Sequence, residues 1–504
     1  MSHRKRPTDD DHPLSDHSKR PHARSPPAVA GAAAATDPHR RRKTFPSYLD
    51  APELPTKIRL LCEIIANTHP ASAVERALDD AGVRVSTTDV EEVLKLSYSL
   101  PAPAVAFFRW AGSCHLAHQH STYSWNLIVD ILGKNELFDA MWDAVRSMRS
   151  ERLLSFATFA SVFSSLASAG RPEDALAAFH SMDVYGVPRS TIALNSLLSA
   201  VCLEGRVSTA RTFLGAAAPS VAPDADTFAI LLEGCEGEDD PRTAREVFAD
   251  MIASIGWDPA NIPAYDAFLT TLVRSGPVGL AEALKFLDIM QKKRCFPGIK
   301  FFRDALECFV KNNDARGARE LWDLLAGHHG CFPDTAMYNS MITLQCYLNQ
   351  IDIAQRFLDE MITYGAFPNS QTYNVMLQFL LKARKLREAA AIFNEMVKNE
   401  CCPTAANCAS AIRIFLDSGD AEMALKVWKC MVANDLQPLE KNGNMLVEKL
   451  RGMDRLPEAC KYAEDIIDRG IKLNSSTLSK LRQSLLRVGK GSIHDHLLMK
   501  WKSH

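Results

Sequence analysis

The chain has 504 residues, 47% of them hydrophobic, which exceeds what a single compact core usually supports. The net charge is −2, so the chain has no excess of basic residues that would by itself indicate nucleic-acid binding. No apolar run approaches the roughly 20 residues that span a bilayer, so membrane insertion is not expected. The 13 cysteines form no CxxC pair, which favours packed thiols in a reducing compartment over a disulfide framework or a zinc ribbon.

Residues 1–44 are predicted to be a disordered tail, because they are rich in Pro, Ala, Ser, His and Arg and lack hydrophobic periodicity. They hold ten Lys and Arg against five Asp and Glu, so residues 45–504 carry a net charge of −7. The basic run 40–43 and the preceding alanines fit an organelle transit peptide, whereas the acids at 9–11 do not. Two basic groups, at 4–6 and 19–20, resemble a nuclear import signal instead. A tail without any address is the third alternative.

Residues 45–121 are predicted to form degenerate helical repeats that cap the N-terminal end of an array. Amphipathic segments at 58–66, 90–96 and 105–111 predict helices that lack a regular repeat period. The aromatic residues around Trp110 would suit base stacking, but burial inside the cap is the expected explanation.

Between residues 122 and 474 one unit recurs about every 35 residues. The segment 338–342 (Tyr-Asn-Ser-Met-Ile) returns as 373–377 (Tyr-Asn-Val-Met-Leu), and Ala354 returns as Ala389, all at an offset of 35. Apolar residues at helical spacing in both halves of the unit predict two helices, and counting the unit starts gives about ten units. Because one such hairpin cannot bury its apolar face alone, the units are expected to stack as an all-α solenoid.

Residues 475–504 are predicted to form a C-terminal capping helix and a polar tail. Two groups of candidate metal ligands, at 328–331 and 494–496, lack further ligands at zinc spacing. We therefore predict no metal site, no cofactor and no catalytic residue.

The repeated unit resembles the pentatricopeptide repeat, since it has Tyr-Asn near its start, Ala at its middle, and Phe-x-x-Met before a Pro-Asp or Pro-Asn end. The segments 107–112 and 125–134 look like the opening of a plant P-class member. This resemblance implies a right-handed α-solenoid superhelix of helix-turn-helix repeats. Its concave groove would bind single-stranded RNA with one base per repeat.

In such proteins the fifth residue of a unit and its last residue together select the base through its Watson–Crick edge. The resemblance assigns uracil to Asn195 with Asp224, and pyrimidines to the pairs Asn126 with Ser155 (leaning to cytosine), Asn339 with Asn369, Asn444 with Asn474 and, more weakly, Asn374 with Thr404. Ala160, Ala229, Asp266, Arg303 and Ala409 depart from the pattern. Asparagine near a helix start is also a common cap, which is the alternative explanation for each of these residues.

The predicted function is sequence-selective binding of single-stranded organellar RNA in transcript stabilisation, processing, splicing or translation. Catalysis is not expected, because the His-x-Glu and CxxC residues of the family's deaminase tail are missing near the C-terminus. RNA-processing proteins are expected as further partners, and the mitochondrion as the compartment, with chloroplast and nucleus as alternatives. The alternative function is a protein-interaction scaffold that uses the same groove, which the acidic body favours.

Overall fold

The structure, a computed structural model, describes residues 45–326 and 332–503, and its regular elements within these ranges are helices. The predicted tail 1–44 and the candidate ligands at 328–331 lie outside the described residues. Four α-helices precede the repeats: α1 (Thr56–Asn67), α2 (Val74–Ala81), α3 (Thr87–Lys95) and α4 (Pro101–Cys114).

Helical hairpins follow from residue 122 onward. Their first helices are α5 (Thr122–Lys134), α7 (Phe156–Ser168), α9 (Thr191–Leu203), α11 (Ala225–Gly237), α13 (Ile262–Arg274), α15 (Ile299–Lys311), α17 (Thr335–Tyr347), α19 (Ser370–Lys382), α21 (Ala405–Asp417), α23 (Leu439–Gly452) and α25 (Ser475–Arg487). Their second helices are α6 (Phe138–Ser150), α8 (Pro172–Ser181), α10 (Val207–Ala217), α12 (Pro241–Ile255), α14 (Pro277–Lys292), α16 (Ala315–Ala326), α18 (Ile351–Thr363), α20 (Leu386–Lys398), α22 (Ala421–Ala433), α24 (Leu456–Asp468) and α26 (Gly491–Ser503).

The hairpins stack in two layers. Each first helix packs against the first helix of the next hairpin, whereas second helices of neighbouring hairpins contact one another much less, except at the C-terminal end, where α24 and α26 also pack together. The first helices are therefore the more closely spaced layer, and the array curves with this inner layer on its concave side. The predicted all-α solenoid is confirmed. None of the described helices is long and apolar enough to cross a bilayer.

A small residue lets the two helices of each hairpin approach closely. Nine of the second helices carry a fully buried alanine at the equivalent place: Ala175, Ala210, Ala244, Ala283, Ala318, Ala354, Ala389, Ala424 and Ala459. In α6 this place is taken by Met141, and the facing helix α5 carries Gly133 instead. A Cβ on Gly133 would lie 2.9 Å from the Met141 sulfur and 2.4 Å from Ser165 Oγ. The first hairpin therefore keeps the same close approach with the small residue on the other helix.

The predicted segments 58–66 and 105–111 lie within α1 and α4, the segment 90–96 lies in α3 except for its last residue, and α2 was not predicted. Phe107, Phe108 and Trp110 are buried, and the ring of Phe108 stacks on His120 with 3.6 Å between centroids. These aromatic rings therefore belong to the packed interior and are not available for base stacking.

Two further differences from the sequence-based expectation have local causes. The spacing of the units is longer than 35 residues around 258–263 and 276–279, which predicts turns in both ranges. Both turns are shorter than this prediction, because α13 begins at Ile262 and α14 at Pro277. Proline is tolerated in a first helical turn, where its missing N–H has no partner to lose. In place of a polar tail, α26 follows α25; it packs against α24 and α25, and Trp501 Nε1 donates a hydrogen bond to the Leu473 carbonyl at 2.7 Å.

Candidate functional site

The ten predicted site residues lie in the inner layer, at the boundaries between successive hairpins. Each asparagine is near the start of a first helix, and its predicted partner is the N-cap residue of the next first helix. The pairs are Asn126 on α5 with Ser155 before α7, Asn195 on α9 with Asp224 before α11, Asn339 on α17 with Asn369 before α19, Asn374 on α19 with Thr404 before α21, and Asn444 on α23 with Asn474 before α25.

Asn195 and Asp224 form a direct side-chain pair. Asn195 Nδ2 donates to Asp224 Oδ1 at 3.0 Å, and Thr227 Oγ1 donates to Asn195 Oδ1 at 2.6 Å. Asp224 Oδ1 also accepts the backbone N–H of Thr227 at 2.8 Å, so the aspartate caps α11. The capping explanation thus applies to Asp224 and not to Asn195. Asn195 keeps one amide N–H, and Asp224 Oδ2 accepts no hydrogen bond from the described residues.

The carboxyl group of Asp224 is held in its ionised form. Partial burial raises its pKa, but the hydrogen bonds from Asn195 and from the backbone amide of Thr227 outweigh that effect, so the pKa lies below its ordinary value. At neutral pH this carboxylate only accepts hydrogen bonds. The pair therefore presents one donor beside one acceptor.

Asn339 and Asn369 repeat this arrangement with an amide in place of the carboxylate. Asn339 Nδ2 donates to Asn369 Oδ1 at 3.3 Å, and Thr372 Oγ1 donates to Asn339 Oδ1 at 2.5 Å. Asn369 Oδ1 also accepts the Thr372 N–H at 3.1 Å. Its oxygen is thus occupied, and its Nδ2 makes no hydrogen bond within the described ranges. The groups of this pair that remain unbonded are therefore hydrogen-bond donors.

The Asn126 and Ser155 side chains meet only through a third residue. Thr158 Oγ1 donates to Asn126 Oδ1 at 2.7 Å, and Ser155 Oγ lies 3.5 Å from the same hydroxyl. Sequence reasoning missed these bridging threonines, Thr158, Thr227 and Thr372, which are buried and hold the asparagine amides in place. The available signal was a threonine three residues after a Ser, Asp or Asn cap, the spacing at which an N-cap and the third helical residue bond each other.

Asn374 and Asn444 are bound differently. Asn374 Nδ2 donates to the carbonyls of Ser370 at 2.8 Å and Cys402 at 3.1 Å, and its Oδ1 accepts the backbone N–H of Thr404 at 2.8 Å. Asn444 does the same with the Glu440 and Lys472 carbonyls and the Asn474 N–H. In each of these asparagines both N–H groups of the side-chain amide therefore donate to backbone carbonyls. The predicted partners Thr404 and Asn474 bind the asparagine through their backbone N–H and not through their side chains.

The backbone of the cap residue separates the two arrangements. Ser155, Asp224 and Asn369 have φ angles of −139°, −118° and −114°, and their N–H groups bond the threonine hydroxyl three residues later. Thr404 and Asn474 have φ angles of −71° and −67°, and their N–H groups bond the preceding asparagine.

We expect the substitution Asn374→Ala to lower the free energy of unfolding by about 1–2 kcal/mol, because it removes the bonds that join two hairpins. It also leaves the buried Asn407 Nδ2 without the Asn374 Oδ1 acceptor, 2.8 Å away. Urea denaturation measures the change. Asn394→Ala, at an exposed position on α20, is the matched control and should change stability by less than about 0.5 kcal/mol. Equal stability of the two variants would contradict the assigned role.

Asp266, at the fifth position of α13, caps the N-terminus of the next first helix, α15, although it belongs to a different helix. The N-cap residue of α15 is Gly298, which has no side chain, and Asp266 Oδ1 accepts the backbone N–H of Phe301 at 2.8 Å. A Cβ on Gly298 would lie 2.6 Å from Asp266 Oδ2. The departure of Asp266 from the repeat pattern therefore compensates for a missing cap.

Asp266 also gives a pH-dependent prediction. Burial raises the pKa of its carboxyl group, against the opposing effects of the Phe301 N–H and Lys300. The folded state thus binds more protons than the unfolded state between the two pKa values, and this group's contribution to stability falls as pH rises through that window. Asp266→Asn keeps an acceptor and removes the charge. Its unfolding free energy should fall less than that of the wild type between about pH 4 and about pH 7, as measured by urea denaturation. A steeper fall in the variant would contradict this assignment.

Ion pairs occupy the middle of the inner layer. Glu236 on α11 is buried and pairs with Arg274 on α13 at 3.0 Å and with Lys300 on α15. Arg274 also reaches Asp304 at 3.1 Å. Three consecutive first helices are therefore joined by charges that partly neutralise one another. The described residues hold no group of three or more His, Cys, Asp or Glu side chains that could bind a metal ion.

Comparisons with known proteins agree with the repeat pattern. Two overlapping segments, 333–380 and 368–406, match the model of the PPR repeat family, and 157–187 matches the model of the PPR repeat. Two relatives from Arabidopsis thaliana are both described as mitochondrial pentatricopeptide repeat-containing proteins. One is 31% identical over 167 residues, which is 33% of this chain and 32% of the relative. The other is 34% identical over 165 residues, 32% of this chain and 29% of the relative. The chain thus matches about a third of the length of these relatives.

Solved structures give a weaker likeness. The maize protein PPR10 in complex with an 18-nt psaJ RNA element is 20% identical, with 88% of this chain and 67% of that chain covered and a TM-score of 0.41. Yeast Rmd9p in complex with a 16-nt target RNA is 12% identical, with 89% and 96% covered and a TM-score of 0.35.

Proposed function

We propose that the inner layer binds single-stranded RNA with sequence selectivity and without catalysis, because segments of the chain match models of the PPR repeat. The observation that carries the proposal is the Asn195 and Asp224 pair. It lies at a boundary between hairpins, it is fixed by the buried Thr227, and it leaves one amide N–H and one carboxylate oxygen unbonded by the described residues.

This pair suits uracil. Its free N–H and free carboxylate oxygen match a base edge with one acceptor beside one donor, which uracil offers as O4 and N3–H. The Asn339 and Asn369 pair offers donors instead, which suits the acceptor oxygens of a pyrimidine. The two units are therefore expected to differ in the base they prefer.

The biological role that we propose is in organellar RNA metabolism. Bound protein would block exonucleases, keep the bound segment unpaired or recruit RNA-processing proteins, and so affect transcript stability, processing, splicing or translation. The names of the Arabidopsis relatives support the mitochondrion as the compartment. Chloroplast and nucleus remain the alternatives.

Several thiols belong to the packed interior. Burial raises the pKa of Cys202, Cys235, Cys346 and Cys408 to about 12, so these groups are protonated at neutral pH and are poor nucleophiles.

Selection from a random pool of single-stranded RNA by the recombinant chain tests the proposal. We expect enrichment of a pyrimidine-containing motif, and an affinity for it that falls as salt concentration rises. Absence of an enriched motif, together with binding that does not respond to salt, would contradict RNA recognition. It would favour a protein-interaction scaffold, for which the net charge of −7 on residues 45–504 is the supporting observation.

A further inference from the structure

Arg303 and Asp334 form a charged version of the asparagine pairs. Arg303 is the fifth residue of α15, the place that Asn195 takes on α9, and Asp334 is the N-cap residue of α17. Arg303 Nε donates to Asp334 Oδ2 at 3.1 Å, and Nη2 contacts the same oxygen. Asp334 Oδ1 accepts the backbone N–H of Met337 at 2.9 Å. The helix cap fixes the carboxylate, and the carboxylate fixes one edge of the guanidinium group.

The other edge of the guanidinium group is open. Within the described residues, Arg303 Nη1 makes no hydrogen bond, and 41% of the Arg303 side chain is exposed. Arg303 and Asp334 line a recess of about 480 Å³ together with Asn339, Asn369 and Gln371. The charged pair and the next asparagine pair along the chain therefore share one open recess.

We propose that Arg303, positioned by Asp334, recognises guanine. The inference rests on the proposed RNA binding and adds the base at one position. The outward N–H groups of Nη1 and Nη2 form a fork of two parallel donors, and guanine presents two adjacent acceptors, O6 and N7. Adenine presents a donor, N6, beside its N7, and the O4 of uracil lies beside N3–H. Because a guanidinium group has no acceptor, both of these edges place a donor against a donor. Cytosine also has two adjacent acceptors, O2 and N3, and is the competing base that the selection below separates from guanine, the commonest bidentate partner of arginine.

The position of this base follows from the order of the units. Arg303 belongs to the unit directly before that of Asn339, and the two pairs line the same recess. The guanine is therefore expected next to the pyrimidine that contacts Asn339 and Asn369.

The test compares wild type with Arg303→Lys and Arg303→Ala in selections from random single-stranded RNA. The lysine variant keeps the charge and loses the fork. The selected wild-type RNA and the same RNA with adenosine in place of the guanosine then serve as probes in anisotropy titrations. We expect wild type to prefer the guanosine probe by about tenfold. Both variants should bind the two probes equally, while keeping the preference for the adjacent pyrimidine.

Three results would overturn the inference while leaving RNA binding in place. They are enrichment of another base beside that pyrimidine, a guanosine preference that survives in Arg303→Lys, and an equal loss of affinity for both probes in Arg303→Ala, which indicates a phosphate contact. A wild-type chain that selects no RNA would overturn the proposed function as well. Urea denaturation of each variant confirms that it is folded, and Arg303→Lys keeps a cation for Asp334 should the alanine variant be unstable.

Discussion

Replacement of both Asn195 and Asn339 by alanine is expected to lower the affinity for the selected RNA by about a hundredfold. Asn195 is partly exposed and loses an amide that faces the groove, whereas Asn339 is only 3% exposed and loses the hydrogen bond that positions the exposed Asn369 side chain. Each loss costs about 1–1.5 kcal/mol, or roughly tenfold in affinity. It also leaves the hydroxyl of Thr227 or Thr372 without its asparagine acceptor, which frees the neighbouring cap side chain to move. Fluorescence anisotropy with a labelled RNA measures the loss.

The matched control makes the same chemical change outside the inner layer. Asn394 on α20 and Asn434 after α22 are exposed, and their joint replacement by alanine should leave RNA affinity unchanged. Urea denaturation of both double variants shows whether each is folded. If the Asn195 and Asn339 variant is folded and binds RNA as tightly as its control, these asparagines do not contact the bases.

Phe268→Ala is expected to have the largest effect on stability. Phe268 on α13 is fully buried, stacks on Phe248 of α12 with 4.0 Å between ring centroids, and meets the edge of Phe286 on α14 at 5.0 Å. Removing a buried phenylalanine costs about 3–5 kcal/mol, and aromatic pairs add to the loss. Because these contacts join one hairpin to the next, the array should unfold locally at this boundary before it unfolds elsewhere.

Urea denaturation and hydrogen exchange measure that effect. We expect a lower transition midpoint, with faster amide exchange confined to α11–α14. Phe367→Ala is the control, because this phenylalanine is 75% exposed and its loss should change stability by less than about 0.5 kcal/mol. A uniform increase in exchange along the whole array would contradict the local coupling of hairpins.

The sequence predicted the solenoid because the apolar pattern of each unit recurs at a fixed offset. Ala354 and Ala389, identified from that offset alone, are both fully buried in the structure. It did not predict α26, because few residues of this segment are apolar. Its position depends on contacts that lie far away in the chain, such as the pairing of Lys500 with Glu464 and the docking of Trp501 on the Leu473 carbonyl.

Less of the candidate site than of the fold could be predicted from the sequence. The resemblance assigned the pairs, and the structure brings each pair together. The identity and position of Asn339 and Asn374 do not distinguish their roles, because both are asparagines at the fifth position of a first helix. Their roles differ because the backbone of the following cap residue differs, with φ of −114° at Asn369 and −71° at Thr404. Thr372 lies three residues after Asn369, and Asn407 takes that place after Thr404. Thr477, however, lies three residues after Asn474, whose φ of −67° resembles that of Thr404, so the threonine does not by itself determine the angle.

The most direct test of RNA recognition is crosslinking of the tagged chain to RNA in its native cells, followed by sequencing, with the Asn195 and Asn339 double variant in parallel. We expect an enriched footprint of about ten nucleotides, one per repeat. The footprint should come from a mitochondrial transcript and disappear in the variant. No enrichment above background, or a footprint that is unchanged in the variant, would contradict this expectation.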